Sequence, residues 1–187
     1  MRFFENTLIE IKSCNQPIVL IDIDGVMQNN QHRLHHIVQD VDGKSQYRKN
    51  PDWDSFTQAA HLDSEGAFCR VIRKLQRRVL PVYLTARIDS LVDDRRDQLL
   101  KRLSEVSDDG LLGNDYPILI MRPVRSPHTE WESASLFKQR ITKMLLSEGL
   151  DILFAVDDSH ENCKMFATLG IPTLRLYNHL TETQWDY

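Results

Sequence analysis

The chain has 187 residues, a length that suits one α/β domain with a real core and is too short for two large domains. Hydrophobic residues make up 41% of the chain and charged residues 27%, a balance that excludes wholesale disorder. The net charge of −4 argues against a protein that coats duplex DNA by bulk positive charge, but it is compatible with a small local phosphate site.

The cysteines and the N-terminus bear on the cellular compartment. Cys14, Cys69 and Cys163 lie far apart and form no CxxC pair, so neither a disulfide framework nor a zinc ribbon is indicated. The first residues contain no signal-peptide apolar region, and no apolar stretch is long enough to cross a membrane. We therefore expect a cytoplasmic protein with no membrane partner and with cysteines that act as small apolar side chains.

Apolar runs alternate with amphipathic segments along the chain, which predicts alternating strands and helices. The predicted strands are 17–21, 79–84, 116–121, 152–156 and 173–177. Strands that are apolar along their whole length are typical of a parallel sheet with helices on both faces. The sequence therefore predicts an α/β fold, Rossmann-like, with a mainly parallel sheet.

Four helices are predicted between these strands, each beginning at a serine that can cap it. They start at Ser64, Ser90, Ser133 and Ser159, and the last one ends at Gly170 and Pro172. The side chains expected to pack in the core are Phe68, Val71, Ile72 and Leu75 in the first helix, Leu91, Leu99, Leu100 and Leu103 in the second, and Phe137, Ile141, Met144 and Leu145 in the third.

Residues 28–63 follow the first strand and are polar, rich in His, Asn and Gln, with no long apolar run. We predict a small cap insertion over 28–63, with the core formed by 1–27 and 64–187. Two motifs within it are interpreted as turns. Asp40-Val41-Asp42-Gly43 lacks a buried strand before it, and Gly43-Lys44-Ser45 resembles the end of a P-loop but has Val38 in place of the first glycine.

Polar side chains follow the predicted strands at the point where each strand ends. These residues are Asp22 and Asp24, then Thr85 and Arg87, then Asp157 and Asp158. Because the carboxyl ends of parallel strands meet at one edge of a sheet, we expect these side chains to converge there. Clustered carboxylates repel each other, and an oxygen-rich site of this kind suits Mg²⁺.

The residues at these strand ends also match a family pattern. Asp22-Ile23-Asp24-Gly25-Val26, Leu84-Thr85-Ala86-Arg87, Lys138 and Val156-Asp157-Asp158 resemble, in order, the four motifs of the haloacid dehalogenase (HAD) superfamily phosphatases. The resemblance covers roughly residues 17–177. It implies a Rossmann-like HAD core and a phosphatase that works through a phosphoaspartyl intermediate.

The resemblance implies a role for each motif residue. Asp22 is expected to attack phosphorus, and Asp24 to act as general acid and then general base. Thr85 and Lys138 are expected to hold the phosphoryl oxygens. Lys143 lies five positions after Lys138, about 140° around a helix, so only one of the two can face the site, and we expect Lys138.

The implied cofactor is Mg²⁺, which offsets repulsion between the anionic nucleophile and the anionic substrate. Its expected ligands are the Asp22 carboxylate, the Asp24 backbone carbonyl and the Asp158 carboxylate, with Asp157 acting through a water molecule. All four residues belong to the motifs that carry the resemblance.

A looser resemblance concerns the substrate. His32-Arg33-Leu34-His35-His36, the segment 50–56 and Met121-Arg122-Pro123 look like the phosphatase domain of polynucleotide kinase/3′-phosphatase proteins and related phage and bacterial HAD enzymes. This resemblance implies a nucleic-acid 3′-phosphate end as substrate. The incomplete P-loop excludes a kinase activity, and Ala134 stands where that pattern has an acidic residue before the motif lysine.

Candidate substrate contacts follow from residue chemistry. Arg33, Arg87 and Arg122 are predicted to bind phosphate through their paired N–H donors. Trp53 and Phe56 can stack on a base, but we interpret them as the core of the small insertion, which needs apolar side chains to bury. A basic run on the helix after residue 64 is interpreted as a solvated face; it contains Arg70, Arg73, Lys74, Arg77 and Arg78.

Three functions remain open at this point. The first is a polynucleotide 3′-phosphatase, and the second is a 5′(3′)-nucleotidase acting on free nucleoside monophosphates, which the pI of about 6.0 favours. The third is a non-catalytic nucleotide-binding module, which predicts loss of Asp22 or Asp24, whereas both are present. The oligomeric state is not indicated by the sequence.

Overall fold

A parallel sheet forms the centre of the fold. The computed structural model of the chain describes residues 2–42, 44–75, 78–89, 94–106, 117–123 and 132–176. The strands of these residues, in chain order, are β1 (Ile18–Ile21), β2 (Gln28–Asn29), β3 (Val38–Val41), β4 (Lys44–Tyr47), β5 (Ser64–Glu65), β6 (Leu80–Asp89), β7 (Ile118–Pro123), β8 (Ile152–Asp157) and β9 (Thr173–Arg175). Five of these described strands form one sheet in the order β7-β6-β1-β8-β9, with every neighbouring pair parallel. The predicted parallel α/β architecture is confirmed.

The described residues form six α-helices, of which five lie beside the sheet and the second in chain order lies within the insertion. They are α1 (Arg2–Ser13), α2 (Trp53–Gln58), α3 (Cys69–Leu75), α4 (Arg95–Val106), α5 (Ala134–Ser147) and α6 (His160–Thr168). Ser133 and Ser159 cap α5 and α6, as predicted, because their hydroxyl oxygens accept hydrogen bonds from the backbone N–H groups of Leu136 and Asn162. No helix among the described residues combines the length and the apolarity needed to span a bilayer.

The two faces of the sheet carry separate apolar clusters, because successive residues of a strand point to opposite faces. Leu20, Val82 and Ile120 pack on one face against the Phe137 side of α5. Val19, Ile21, Tyr83, Ile72 and Leu99 are among those that pack on the other face. The central strand β1 is buried along its whole length, so the residue that follows it is held rigidly.

Several local predictions are wrong. Ser64 does not cap a helix: it lies in β5, and α3 begins only at Cys69. Val71 is 43% exposed and lies outside the core, as do Leu153 and Leu174, which the predicted strands placed in the interior. The expected cap Ser90 and core residue Leu91 lie outside the described residues, as do Arg77 of the basic run and the end of the last predicted strand at Tyr177.

The helix α1 is a feature that the sequence analysis did not predict. Ile11 is buried in the same cluster as β1, and Leu8 packs against that cluster one turn earlier. Ile9, which lies between these positions, is 66% exposed, so the apolar residues of this segment do not all mark one buried face. The spacing of Leu8 and Ile11 is the signal that was available.

The insertion leaves the core and returns to it at one point, where β2 pairs antiparallel with β5. Within it lie the hairpin β3–β4, helix α2 and a small cluster of Leu34, Ile37 and Phe56. Asp42 adopts a φ of 54° at the hairpin turn, in line with the turn interpretation of the Asp-x-Asp-Gly repeat. Phe56 is core as expected, but Trp53 is 50% exposed, so its interpretation as core is wrong. The domain boundaries 1–27, 28–63 and 64–187 stay a prediction.

Candidate active site

An acidic cluster lies where β1 and β8 end side by side. Asp22 follows β1, Asp157 ends β8, and the Asp22 N–H donates a 2.9 Å hydrogen bond to the Val156 carbonyl, which joins the two strand ends. One carboxylate oxygen from each of Asp22, Asp157 and Asp158 lies within 4.8 Å of the other two. The structure therefore brings together the first and the last of the predicted acidic motifs.

Lys138 lies between two of these carboxylates. Its Nζ atom is 2.7 Å from Asp22 Oδ1 and 2.7 Å from Asp157 Oδ2, and the residue is only 2% exposed. Burial alone would lower the pKa of Lys138, but the carboxylates of Asp157 and Asp22 hold it above its ordinary value. Lys143 is exposed on the other side of α5, so Lys138 is the lysine that faces the site.

Asp157 is a fully partnered carboxylate. It is 1% exposed and accepts hydrogen bonds from Lys138, from the Ser159 N–H at 2.9 Å and from Asn162 Nδ2 at 3.0 and 3.1 Å. Asn162 was missed by the sequence analysis, although it lies three residues after the cap Ser159, where a side chain reaches back over the helix start. These contacts fix Asp157 in place, which leaves Asp158 as the neighbouring carboxylate suited to a direct metal bond.

The acidic cluster carries more negative charge than its protein partners compensate. Burial, with the nearby Asp157 and Asp24, raises the pKa of Asp22 to about 7 even though Lys138 opposes the shift. Burial and the charges of Asp22 and Asp157 also raise the pKa of Asp158. Carboxylate oxygens gathered in this way are the donor set that Mg²⁺ takes, and a divalent cation there would compensate the charge. The residues present therefore fit the expected metal.

Gly25 shapes the turn on which Asp158 rests. Its φ is +76°, a conformation that side-chain-bearing residues rarely adopt. A Cβ atom built on Gly25 would lie 2.2 Å from Asp158 Oδ2. Only glycine lets the Asp158 carboxylate approach the turn after β1 so closely.

Asp24 belongs to a second charged group on the insertion side of the site. Arg87 Nε donates to Asp24 Oδ2 at 2.9 Å and Arg87 Nη2 donates to Asp24 Oδ1 at 2.6 Å, while Arg33 Nη2 donates to the same Oδ1. Burial alone would raise the pKa of Asp24, but the guanidinium groups of Arg87 and Arg33 hold it well below its ordinary value.

Asp63 completes this group and was not found by the sequence analysis. Arg33 donates to both of its oxygens at 2.7 Å, and Arg87 Nη2 lies 3.3 Å from Asp63 Oδ2. The Asp63 side chain is wholly buried, and Arg33 is 1% exposed with its guanidinium 4.0 Å above the Phe56 ring. Asp63 stands at the end of the insertion outside any recognisable motif, so its sequence context carries no signal.

A β-bulge positions Arg87. The pairing of β6 with β7 shifts between Thr85 and Ile88, so Ala86 and Arg87 have no direct partner on β7. The Arg87 N–H donates to Thr85 Oγ1 at 3.2 Å, and Thr85 itself is 1% exposed at the end of the regular pairing. The bulge sends the Arg87 side chain toward Asp24 while Thr85 stays beside the central strand.

Arg122 lies at the end of β7. Its Nη1 atom donates a 2.9 Å hydrogen bond to the Glu132 carbonyl just before α5, and burial lowers its pKa. This contact ties the end of β7 to the start of α5. The phosphate contact expected of Arg122 stays a prediction.

A cavity of about 660 Å³ opens beside Arg87, between the insertion and α4. Its lining includes Arg95, Lys101 and Arg102 of α4. The Arg102 guanidinium donates to three backbone carbonyls of the insertion, those of Ala60, His61 and Asp63, and so ties α4 to the insertion.

Comparison with known proteins gives structural matches only. No protein-family model matches the chain, and no curated protein does. A chain of the Pnkp1/Rnl/Hen1 RNA repair complex matches 87% of this chain with a TM-score of 0.52 and 15% identity, and a second structure of the Pnkp1/Rnl/Hen1 complex matches 87% with a TM-score of 0.50 and 17% identity. This chain covers 42% and 47% of those two chains, less than half of their length.

A third match is a HAD family enzyme from Bacteroides thetaiotaomicron, solved with magnesium and inorganic phosphate. It has a TM-score of 0.43 and 16% identity, over 92% of this chain and 98% of that enzyme. In this chain the sheet has five parallel strands in the order β7-β6-β1-β8-β9, with small antiparallel elements inserted after β1. The chain therefore has the parallel α/β fold expected from its resemblance to the HAD phosphatases, and it shares this fold with the two chains of the RNA repair complex.

Proposed function

We propose that the chain is a Mg²⁺-dependent phosphomonoester hydrolase that acts, through a phosphoaspartyl intermediate, on nucleic-acid 3′-phosphate ends. One observation carries the proposal: the Asp22 carboxylate follows the buried central strand, pairs with Lys138, and lies within 4.8 Å of the Asp157 and Asp158 carboxylates. A carboxylate held beside a cation and a candidate metal site is the arrangement that a phosphoryl acceptor needs.

In this proposal, an Asp22 carboxylate oxygen forms a bond to phosphorus while the bond from phosphorus to the ester oxygen breaks. Lys138 and Thr85 hold the phosphoryl oxygens, where negative charge is spread in the transition state. Water then attacks the phosphoaspartate and releases inorganic phosphate. The buried Lys138 stays protonated throughout, because its two carboxylate partners raise its pKa.

The metal would be held by the carboxylates of Asp22 and Asp158 and the Asp24 backbone carbonyl, with Asp157 acting through water. Bound Mg²⁺ would supply positive charge that keeps Asp22 ionised and reduces its repulsion from the phosphate. This assignment agrees with the contacts of Asp157, whose oxygens are already occupied by Lys138, Ser159 and Asn162.

Asp24 is proposed to protonate the leaving oxygen and later to take a proton from the attacking water. Both of its oxygens accept hydrogen bonds from Arg87 in this structure, and Arg33 shares one of them. An incoming phosphate competes for the Arg87 guanidinium, and partial release of Asp24 then raises its pKa toward the range in which it can donate a proton. We therefore assign Arg87 to phosphate binding and the buried Arg33 to orienting Asp24.

The fold alone does not identify the substrate or the cellular location. A nucleic-acid 3′ end and a cytoplasmic location are therefore both proposals. The nucleic-acid 3′ end is supported by the sequence resemblance of the insertion and by the fold shared with a chain of an RNA repair complex, of which this chain spans less than half. The alternative substrate is a free nucleoside monophosphate, which the net charge of −4 favours. A non-catalytic module ranks last, because it predicts loss of Asp22 or Asp24 and both are present.

The test is phosphate release with Mg²⁺ from a 3′-phosphorylated oligonucleotide and, in parallel, from 3′- and 5′-mononucleotides. The matched controls are Asp22→Asn, which removes the nucleophile, and Asp54→Asn on the exposed face of the insertion. We expect faster release from the oligonucleotide, abolished by Asp22→Asn alone. Faster release from mononucleotides would make the chain a nucleotidase, and no release from any ester would contradict the proposed activity.

A further inference from the structure

The insertion carries an exposed aromatic pair, Tyr47 and Trp53. Their ring centres are 6.0 Å apart with the planes tilted by 47°, and the two residues are 48% and 50% exposed. Among the exposed large hydrophobic side chains of the described residues, these two are the only aromatic ones. The function proposed above does not use either of them.

The aromatic pair is connected to the active site through ring contacts. Phe56 meets the Trp53 ring edge-on at 5.8 Å, and the Arg33 guanidinium lies 4.0 Å above Phe56. The Trp53 ring centre is therefore within about 10 Å of the guanidinium that holds Asp24. A group bound on Trp53 can thus belong to the same molecule as a phosphate bound at Asp22.

The electrostatic surroundings of Tyr47 place it on the side of the acidic cluster. Partial burial raises the pKa of Tyr47, and the negative charges of the nearby Asp158 and Glu161 raise it further. Arg48 and Lys49 follow directly in sequence, and both are exposed. The pair offers two exposed aromatic faces, the feature on which the bases of single-stranded nucleic acid stack.

We propose that Tyr47 and Trp53 form a stacking site for a nucleobase of the substrate strand whose 3′-phosphate lies at Asp22. This inference rests on the proposed function and adds the part of the substrate that the insertion recognises. Stacking on an aromatic face tolerates every base, so the site distinguishes nucleotides from other phosphate esters rather than one base from another. The cavity beside Arg87 offers no such face, because its described lining contains no Phe, Tyr or Trp.

The test compares two substrates that differ only in their bases: a 3′-phosphorylated oligonucleotide and the same strand with abasic sugars at its last two positions. We expect Trp53→Ala to raise KM for the first about five-fold or more, the lower end of what stacking of one base contributes. KM for the abasic strand should not change. Trp53→Phe, which keeps an aromatic face, should restore most of the affinity.

The matched control is Leu62→Ala, which removes another exposed apolar side chain, 63% exposed, from the same insertion. An equal rise of KM for both strands in Trp53→Ala would mean that Trp53 acts through Phe56 and Arg33, and it would overturn the stacking site. The stacking site would also be overturned if Trp53→Ala changed KM for neither strand.

A binding measurement separates this inference from the proposed function. Fluorescence anisotropy of the labelled 3′-phosphorylated strand reports affinity whether or not the protein hydrolyses it. Binding that weakens in Trp53→Ala but not in Leu62→Ala, and only for the strand with bases, supports the stacking site even if no ester is cleaved. If Trp53→Ala changes the affinity for the two strands equally, or for neither, the stacking site is overturned even if cleavage is fast.

Discussion

Arg87 donates two hydrogen bonds to the carboxylate of Asp24, a residue 63 positions earlier in the chain. The contact exists because the β-bulge after Thr85 turns Arg87 across the carboxyl end of the sheet. It stabilises the ionised form of Asp24, the residue to which we assign proton transfer. The same contact thus contributes to folding and sets the protonation state from which catalysis begins.

Arg87→Ala is expected to lower the free energy of unfolding by about 2 kcal/mol at pH 7, because it leaves two carboxylates with one guanidinium between them. The pKa of Asp24 is depressed in the folded state, so this stabilisation is fully present above the ordinary carboxyl pKa of about 4 and is lost as pH falls further. Urea unfolding at pH 7 and pH 3 checks this. A difference from wild type that is equal at both pH values would contradict it, and the exposed Arg70→Ala serves as control.

Asp22→Asn should abolish hydrolysis and yet stabilise the metal-free protein. The pKa of Asp22 is about 7 in the folded state and about 4 when unfolded, so the folded protein binds more protons between these values and loses stability as pH rises through this window. The variant lacks that loss, and we expect it to gain about 1–3 kcal/mol over wild type at pH 8 and little at pH 4. Thermal unfolding at both pH values, without Mg²⁺, measures this.

Mg²⁺ should stabilise the wild-type protein more than it stabilises Asp22→Asn. Because the ion binds the folded state only, it should raise the melting temperature of wild type more than that of Asp22→Asn. Equal shifts would show that Asp22 is not a metal ligand.

Lys138→Ala should reduce kcat/KM by about 100-fold or more, since it removes a cation aimed at the phosphoryl oxygens. It should also destabilise the protein by about 3 kcal/mol, because Asp22 and Asp157 are left buried with no cationic partner between them. Lys143→Ala, on the exposed side of the same helix, is the matched control and should change neither quantity. Steady-state kinetics and urea unfolding of both variants measure the two effects.

Asp63→Asn tests the carboxylate that joins the insertion to the site. The variant keeps the shape of the side chain but removes the charge that Arg33 and Arg87 share, so we expect a loss of about 2 kcal/mol in unfolding free energy and a lower kcat. Asp54→Asn, exposed in α2, should be neutral. If Asp63→Asn unfolds like wild type, the buried pairing contributes no net stability.

The variants Gly25→Ala and Gly149→Ala distinguish the cost of an unfavourable backbone conformation from the cost of a steric clash with Asp158. Both glycines have φ near +75°, but a Cβ at Gly149 meets nothing within 4 Å, whereas one at Gly25 lies 2.2 Å from Asp158. We expect Gly149→Ala to cost about 1 kcal/mol from backbone conformation alone. Gly25→Ala should cost more and should also displace Asp158, so its activity should fall while that of Gly149→Ala is unchanged. Equal costs for both variants would show that the turn after β1 yields easily.

The strand-end residues were predictable from sequence because a buried parallel strand leaves little freedom to the residue that follows it. Asp22 and Asp157 converge for this reason, and Thr85 ends the regular pairing of the strand beside β1. Asp63 and the burial of Arg33 were not predictable, since their pairing depends on how a polar insertion of about 35 residues folds back, and that path has no repeating apolar pattern. Trp53 was misassigned because the sequence of a short helix does not reveal which of its aromatic residues faces the interior.

The return of the insertion to the core has a consequence for how such a chain can change. Asn29 pairs with Ser64, so the two crossings between core and insertion are neighbours, an arrangement that normally lets one segment be replaced by another of different length. Here Arg33 and Asp63 lie inside that segment: Arg33 donates a hydrogen bond to Asp24, and Asp63 accepts hydrogen bonds from Arg33. Replacing the insertion with an unrelated segment would therefore remove Arg33 and Asp63, two of the four residues in the charged group that contains the proposed proton donor, Asp24. We therefore expect that replacing the insertion would alter both the proposed substrate choice and the proposed proton transfer.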